Sequence, residues 1–356
     1  MTDIKKFEIF SGTGGVGKTT IATSRALHLA KKGRRVLLIT IDPSKRLKDL
    51  LSLKDSEAGK VINIENPLNI GQDIKLDALL MSPDQTMKKI AQKSKSEKIK
   101  DNRIIKILSK PYGGLNEILS IVELQIQLDS GLYQTIVLDT PPGSHFLDFL
   151  ESTNKIQTFF DQSFIDIFNY ISNNKVQIKK GKKFITMIVS GGVKKLIGYL
   201  QRVTGPSFID EFIEAVAAIY DTKDIFLAAL SLQQELRDSN TSNWFFVASI
   251  DQNKIKEAID LSSNAKEVIG KDNFIILNKC LDEEFKLWIP ENELGTKLKL
   301  SFTTKEKVIK KKIQNKFTKT IEFPEILKIS PLDQVLALVE NWNNIQEQEG
   351  MKNGSI

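Results

Sequence analysis

Short apolar runs alternate with longer stretches of helical periodicity along this chain. Five such runs occupy residues 7–10, 36–41, 135–138, 245–250 and 274–277. Continuous apolar runs indicate strands that are buried on both faces, and helices between consecutive strands allow those strands to pair in parallel. The pattern therefore predicts the α/β class, with a doubly wound, mostly parallel sheet.

Two regions depart from this alternation and are predicted to be helical insertions. The smaller, about residues 75–110, is amphipathic and rich in lysine, and the larger, residues 151–240, has no clear strand pattern. The predicted core therefore comprises residues 1–150 and 241–345. Residues 346–356 are predicted to form a flexible tail.

The larger insertion contains apolar side chains at helical spacing, which is typical of one buried helix face. They are Ile156, Phe159, Phe160, Phe164, Ile167, Phe168 and Ile171. This face is interpreted either as ordinary core or as an exposed groove that receives an amphipathic or transmembrane helix of a client protein.

The composition, 41% hydrophobic and 27% charged over 356 residues, is that of a globular protein. The net charge of +7 is interpreted as lysines scattered over the surface. The alternative is that it attracts an acidic membrane surface or nucleic acid. The most basic stretch, residues 297–319, is predicted to be a solvated hairpin or helix face. No signal peptide and no run of ~18 apolar residues is present, which predicts a cytoplasmic protein.

Residues 11–20, Ser-Gly-Thr-Gly-Gly-Val-Gly-Lys-Thr-Thr, contain the phosphate-loop pattern G-x-x-x-x-G-K-[ST] between a predicted strand and a predicted helix. The glycines let successive N–H groups point at a phosphate, and the helix adds its positive N-terminal end. Lys18 is predicted to hold the β- and γ-phosphates in catalysis, and Thr19 to bind Mg²⁺. The predicted nucleotide-binding residues of the loop are Gly12, Thr13, Gly14, Gly15, Val16, Gly17, Lys18, Thr19 and Thr20.

Polar residues follow three of the other predicted strands, at the sheet edge where ligands of open α/β sheets bind. Asp139 is predicted to organise Mg²⁺, with a structural aspartate before the following prolines as the alternative. Asp42 is predicted to position or deprotonate the attacking water, a role compatible with capping the next helix. Asn278 can hydrogen-bond the edge of adenine or form a turn.

These motifs together resemble those of the ArsA-type ATPases, a family with a deviant Walker A phosphate loop that includes the arsenite-pump ATPase and the ATPase that targets tail-anchored membrane proteins. The phosphate loop resembles the family's loop, residues 42–47 its switch I and residues 139–145 its switch II. The resemblance implies an ATP-dependent dimer with nucleotides buried face to face. It also implies that Asn278 contacts adenine and that Asp251 and Pro324 contact the nucleotide.

The chain departs from the family at two features. Thr13 stands where the family has a lysine that reaches the partner's phosphates, so Lys45 and Arg46, or a heterodimeric partner's lysine, are hypothesised to supply the positive charge. Cys280 is the single cysteine, which excludes a disulfide within the chain and cannot complete the thiolate sites of relatives. Neither zinc nor an iron–sulfur cluster is therefore expected, and His145 is interpreted as a structural residue or a metal ligand.

The sequence thus predicts an ATP-hydrolysing, nucleotide-switched homodimer or heterodimer that couples ATP to a hydrophobic client or a membrane-protein partner. ATP or ADP and Mg²⁺ are its expected ligands, and no specific nucleic acid is expected. Two alternatives stay open: the soluble ATPase subunit of an anion or metalloid exporter, and a surface-positioning ATPase of the partition or division-site class. Residues 346–356 lack the basic amphipathic helix that a lipid-tethered version of the latter needs.

Overall fold

The computed structural model describes most of the α/β core and the ends of the inserted regions. The described residues are 3–41, 50, 54, 57–64, 74–94, 102–108, 116–143, 145, 211, 214–215, 218–219, 222–269, 273–317 and 319–353. By compactness they divide into two units. The first lies within residues 1–81, 127–150 and 234–356, and the second within residues 82–126 and 151–233.

The first unit holds an eight-stranded sheet with the order β3-β4-β2-β5-β1-β6-β7-β8. The strands are β1 (Phe7–Gly12), β2 (Val36–Thr40), β3 (Val61–Asn63), β4 (Leu76–Leu80), β5 (Thr135–Asp139), β6 (Ser242–Ser249), β7 (Phe274–Cys280) and β8 (Lys319–Pro324). Every neighbouring pair is parallel except β3 with β4. The predicted α/β class and mostly parallel sheet are therefore confirmed.

All five predicted apolar runs are strands, because each is apolar enough to be buried on both faces of the sheet. The prediction of a helical insertion over residues 75–110 is wrong for Leu76–Leu80, which form β4 inside the sheet. The polar Asp77 interrupts that run, and it is accommodated by hydrogen bonds from Asn63 and Tyr133.

Nine helices have bounds among the residues that the structure describes. They are α1 (Lys18–Lys31), α2 (Pro83–Ser94), α3 (Arg103–Leu108), α4 (Asn116–Leu128), α5 (Lys223–Arg237), α6 (Gln252–Ile269), α7 (Asp282–Leu287), α8 (Glu293–Gln314) and α9 (Pro331–Asn353). Helix α9 extends beyond residue 346, where the predicted tail begins, to Asn353, and the flexibility of that tail stays a prediction. Among these helices, none is both long enough and apolar enough to cross a bilayer.

The predicted client-binding face of the large insertion, between Ile156 and Ile171, lies outside the described residues. Of the predicted helical subdomain, residues 151–240, the longest described part is α5 and the turn that follows it. The boundaries of that subdomain stay a prediction.

Aromatic side chains join the sheet of the first unit to the C-terminal helix. Phe245 stacks on Phe10, with ring centroids 4.7 Å apart, and on Phe274, at 4.9 Å. Trp342 of α9 meets the edge of Phe323 at 4.8 Å. Because α9 also packs along α1, the helix after the phosphate loop is fixed on two sides, by the sheet and by α9.

Candidate functional site

The phosphate loop connects β1 to α1 at the carboxyl edge of the sheet. Gly15 and Gly17 have φ angles of +81° and +88°, a left-handed conformation that favours glycine. Gly17 is the N-cap of α1 and provides no capping side chain, and the first turn of α1 has no acidic residue. The positive end of α1 is therefore left to attract an anion.

Two glycines of the loop lie against other strands. A Cβ atom at Gly12 would lie 2.5 Å from the Val247 carbonyl oxygen of β6, and one at Gly17 would overlap the Asn278 amide nitrogen of β7. Only glycine, which has no Cβ, allows these two close contacts, so the loop packs directly against the sheet. At Gly14, by contrast, an added Cβ would meet none of the described residues within 4 Å. The loop thus packs closely against β6 and β7 at Gly12 and Gly17, which suits a loop that presents its other side to a phosphate chain.

Lys18, Thr19 and Asp139 form one hydrogen-bonded group at the ends of α1 and β5. The Lys18 ammonium donates to Asp139 Oδ1 and to the Thr140 carbonyl oxygen, and Thr19 Oγ1 donates to Asp139 Oδ2 at 2.8 Å. Lys18 is 6% exposed and Asp139 1%. A carboxylate beside a threonine hydroxyl is the oxygen donor set that Mg²⁺ prefers, so these residues fit the implied metal.

Thr40 is a fourth member of this group that sequence reasoning missed. Its hydroxyl donates to Asp139 Oδ2 at 3.1 Å, because Thr40 and Asp139 are register partners on the adjacent strands β2 and β5. The signal was present in the sequence, since Thr40 is a polar residue near the end of the predicted strand 36–41 and Asp139 directly follows the predicted strand 135–138.

The segment after Asp139, predicted as switch II, lies beside the phosphate loop. Thr140 donates to the Phe10 carbonyl oxygen through its N–H at 3.1 Å and its hydroxyl at 2.9 Å. Gly143 N–H donates to the Gly12 carbonyl oxygen at 3.2 Å. A change at the phosphates can therefore reach this segment directly through backbone contacts.

Three further predicted nucleotide residues lie at the carboxyl ends of β6, β7 and β8. Asn278 is 6% exposed and donates through Nδ2 to the Val16 carbonyl oxygen at 2.8 Å, so it supports the phosphate loop. Asp251 caps α6 by accepting from the N–H groups of Asn253 and Lys254 at 2.9 and 3.1 Å. Pro324 is the last residue of β8. Their contacts with a nucleotide stay predictions.

Thr13, the residue that replaces the family's lysine, is buried in the loop. Its hydroxyl is near Glu257 of α6. A hydrogen bond from Lys254 lowers the pKa of Glu257, and the Thr13 hydroxyl adds a smaller lowering effect. Lys254 Nζ lies 2.9 Å from Glu257 Oε2, and neither residue was predicted as part of this region.

Within the described part of the chain, the remaining predicted residues do not join the group around Asp139. Asp42, Lys45 and Arg46 lie outside the described part. His145 is described, and within the described residues no group of three or more histidine, cysteine or acidic side chains could hold a metal ion. Cys280 is buried at the end of β7.

Comparison with known proteins adds the following similarities. The sequence model of the family described as anion-transporting ATPase matches residues 5–323. The chain is 34% identical over 144 residues to ATPase get3 of Botryotinia fuckeliana, covering 39% of this chain and 40% of the relative. It is 36% identical over 146 residues to ATPase GET3 of Podospora anserina, with the same shares of 39% and 40%.

A relative from outside the fungi is similar to the same extent. ATPase ASNA1 homolog 1 of Paramecium tetraurelia is 31% identical over 150 residues, which is 42% of this chain and 44% of the relative. This chain therefore spans about two fifths of the length of the curated relatives it matches.

Proposed function

This chain belongs to the anion-transporting ATPase family, and on that premise we propose that it binds ATP with Mg²⁺ at the phosphate loop and hydrolyses it. The observation that carries the proposal is the meeting of Lys18, Thr19 and Asp139 at one edge of the sheet. These residues come from a helix and a strand that are far apart in sequence, and each has a chemical role in phosphoryl transfer.

The Lys18 ammonium is the group that turns to the β- and γ-phosphates. With the ammonium at the phosphates, the Thr19 hydroxyl and the Asp139 carboxylate would hold the metal. Bound Mg²⁺ supplies charge neutralisation at the phosphate oxygens. The backbone N–H groups of the loop and the N-terminal end of α1 stabilise the remaining negative charge.

Asp42 is proposed to position the attacking water, on the basis of its place at the end of the predicted strand 36–41.

Lys45 and Arg46 are proposed to supply the positive charge that Thr13 cannot deliver to the phosphates. Replacing both with alanine should lower ATP turnover about tenfold or more with little change in ATP binding. Unchanged turnover would show instead that the charge comes from elsewhere, such as a related partner chain.

ATP binding and hydrolysis are tested by comparing two lysines of the same helix. Lys18→Ala should lower turnover about 100-fold or more, because it removes the ammonium that is proposed to hold the β- and γ-phosphates. Lys31→Ala is the matched control, since Lys31 is exposed at the opposite end of α1. Turnover is measured as released phosphate and binding by titration calorimetry. Equal activity of the two variants would contradict the proposed site.

We further propose that ATP binding switches a dimer that carries a hydrophobic client segment or acts on a membrane-protein partner. The support is the family membership together with the backbone contacts from residues 140–143 to β1 and the phosphate loop. The Asp42→Asn variant should accumulate in the ATP-bound closed state and retain its client in a pull-down. An Asp42→Asn variant that retains nothing beyond the wild type would remove the support for a client carrier. The proposed dimer is tested separately, by measuring the mass of the protein by sedimentation with ADP and with ATP.

The description of the family favours one further candidate, the soluble ATPase subunit of an anion exporter. That role predicts that oxyanions stimulate turnover. The single cysteine does not provide the several thiolates of a soft arsenite site, so phosphate-like or sulfate-like anions are the ones to test.

A further inference from the structure

Helix α8 has one face that is packed against the protein and one face that is not. Ile309 and Ile313 are buried, and Lys310 is held by Asp282 and Glu322 at 2.5 and 2.8 Å. The opposite side, here called the basic face, is exposed along most of the helix. It consists of Lys297, Leu300, Ser301, Thr304, Lys305, Lys307, Val308, Lys311 and Lys312.

Among the described residues, most lysines of the basic face have no acidic partner. Lys297 pairs with Glu293 at 2.6 Å. For Lys305, Lys307, Lys311 and Lys312, no ion pair with another described residue is present. Four like charges within eight residues repel one another, and an anionic surface would relieve this repulsion.

Two large apolar side chains lie among these lysines. Leu300 is 67% exposed and Val308 is 57% exposed, two turns apart on the same face. A shallow groove of about 460 Å³ is lined by residues of this part of the face and by Gln252 at the start of α6. The face therefore combines positive charge with apolar surface that the described part of the chain leaves uncovered.

We propose that the basic face of α8 binds the surface of an anionic lipid bilayer. A basic amphipathic helix of this kind lies in the plane of the bilayer interface, with lysines at the headgroups and apolar side chains inserted to a shallow depth. The 22 residues of α8 span roughly 33 Å, so its lysines contact several headgroups at once. Lysine stems also extend along the apolar boundary while their ammonium groups stay in water.

The mixture of side chains favours a bilayer over other anionic partners. The centres of protein–protein interfaces are depleted in lysine, whereas here lysines alternate with the apolar residues. A nucleic acid backbone would pair with the lysines but would leave Leu300 and Val308 without an apolar partner. A bilayer offers both anionic headgroups and acyl chains to one continuous face.

Vesicle flotation of the full chain, without nucleotide, tests the proposal independently of ATP hydrolysis. The probes are phosphatidylcholine vesicles and vesicles in which about a third of the lipid is phosphatidylserine. We expect about tenfold more protein bound to the anionic vesicles, and a steep decrease of that binding as salt is added. Equal binding to both kinds of vesicle, or to neither, would overturn the proposal.

Charge-reversal variants then locate the binding to this face. Lys305→Glu, Lys307→Glu and Lys311→Glu together should lower binding to the anionic vesicles about tenfold or more. The matched control reverses three exposed lysines elsewhere in the first unit, which changes the net charge by the same amount. The control positions are Lys31, Lys60 and Lys75. An equal loss in both variants would show a general charge effect and overturn the assignment to α8.

An apolar variant separates lipid from nucleic acid. Leu300→Ser with Val308→Ser should weaken anionic-vesicle binding about tenfold while keeping every lysine, and thermal unfolding confirms that this variant is folded. If instead a short DNA duplex binds more tightly than the vesicles and the serine variant binds it unchanged, the face is a nucleic acid site and the lipid proposal is wrong.

Discussion

The Lys18 ammonium and the Asp139 carboxylate form a buried ion pair across 121 residues of sequence. The pair joins the first residue of α1 to the last residue of β5, and Thr19 and Thr40 hold the second oxygen of the same carboxylate. Because a buried charge without a partner is costly, the Lys18 ammonium and the Asp139 carboxylate stabilise each other. The cation proposed to bind phosphate and the anion proposed to bind the metal are thus paired with each other, and we expect a metal–nucleotide complex to separate them.

This relationship predicts how the nucleotide affinity depends on Mg²⁺. Asp139→Asn keeps the shape of the side chain and removes its charge, so ATP affinity should become nearly independent of Mg²⁺ and turnover should fall about 100-fold. Affinity is measured by titration with Mg²⁺ and with EDTA. Asp77→Asn, a buried carboxylate on β4, is the control and should keep the Mg²⁺ dependence. An Asp139→Asn variant with the same Mg²⁺ dependence as the wild type would contradict the metal role.

The two glycines of the phosphate loop should respond differently to alanine. Gly17→Ala forces a left-handed φ on alanine and places its Cβ against the Asn278 amide, which should cost about 1–3 kcal/mol of unfolding free energy and weaken ATP binding. The Cβ of Gly14→Ala would contact none of the described residues, so this variant should leave the unfolding free energy within about 0.5 kcal/mol.

The contact and the backbone strain at Gly17 can be separated. Adding Asn278→Ala to Gly17→Ala removes the contact but not the strained φ, so the double variant should recover part of the lost stability. The unfolding free energy of each variant is measured by urea denaturation. Equal stability of Gly17→Ala and Gly14→Ala would contradict the close approach.

A buried charge pair braces the two elements on either side of the phosphate loop. Arg25 Nε of α1 donates to Glu8 Oε2 of β1 at 3.0 Å, and both side chains are fully buried. Asn243 donates to the other Glu8 oxygen at 2.9 Å, and the guanidinium lies 4.7 Å from the ring centroid of Trp342.

Removing one partner should therefore cost more than removing both. Glu8→Leu and Arg25→Leu should each lower the unfolding free energy by about 3–5 kcal/mol, because each leaves a buried charge without its partner. The double variant should recover much of this loss, as measured by urea unfolding. Additive losses would show that the two charges do not interact.

Cys280 should be unreactive in the folded protein. Burial raises the pKa of its thiol to about 12, and the nearby Lys310 ammonium opposes this only in part. Since thiolates are the reactive form, alkylation by iodoacetamide at pH 8 should be about 100-fold slower in buffer than in urea.

The same shift predicts a dependence of stability on pH. The folded pKa lies above the unfolded value of about 8.5, so the stabilisation from this group is complete below that pH and decreases as the pH rises toward 12. Cys280→Ala should remove this part of the alkaline decrease, which urea unfolding at several pH values measures. An unchanged slope in Cys280→Ala would show that other groups cause it.

The interior of the sheet could be predicted from sequence more reliably than its edges. The strands that are buried on both faces are recognisable as apolar runs, because burial on both faces favours apolar residues at most positions. The edge strand β8, Lys-Thr-Ile-Glu-Phe-Pro, alternates exposed and buried residues, and β3 has three residues of which none is buried, so neither has such a run. The polar Asp77 concealed β4, since only the folded chain brings Asn63 and Tyr133 to its carboxylate.

The phosphate loop was determined by the sequence alone, because its chemistry needs only neighbouring residues: glycines that allow a left-handed backbone, followed by a helix that begins with Lys18-Thr19. The tertiary structure decided which distant groups meet that loop. Parallel pairing places Asp139 between β1 and β2, draws Thr40 to its carboxylate and lays Asn278 beneath Gly17. It also decided that α8 buries one face and leaves most of its lysines on the other. Such contacts depend on strand order and helix packing, which no local pattern in the chain encodes.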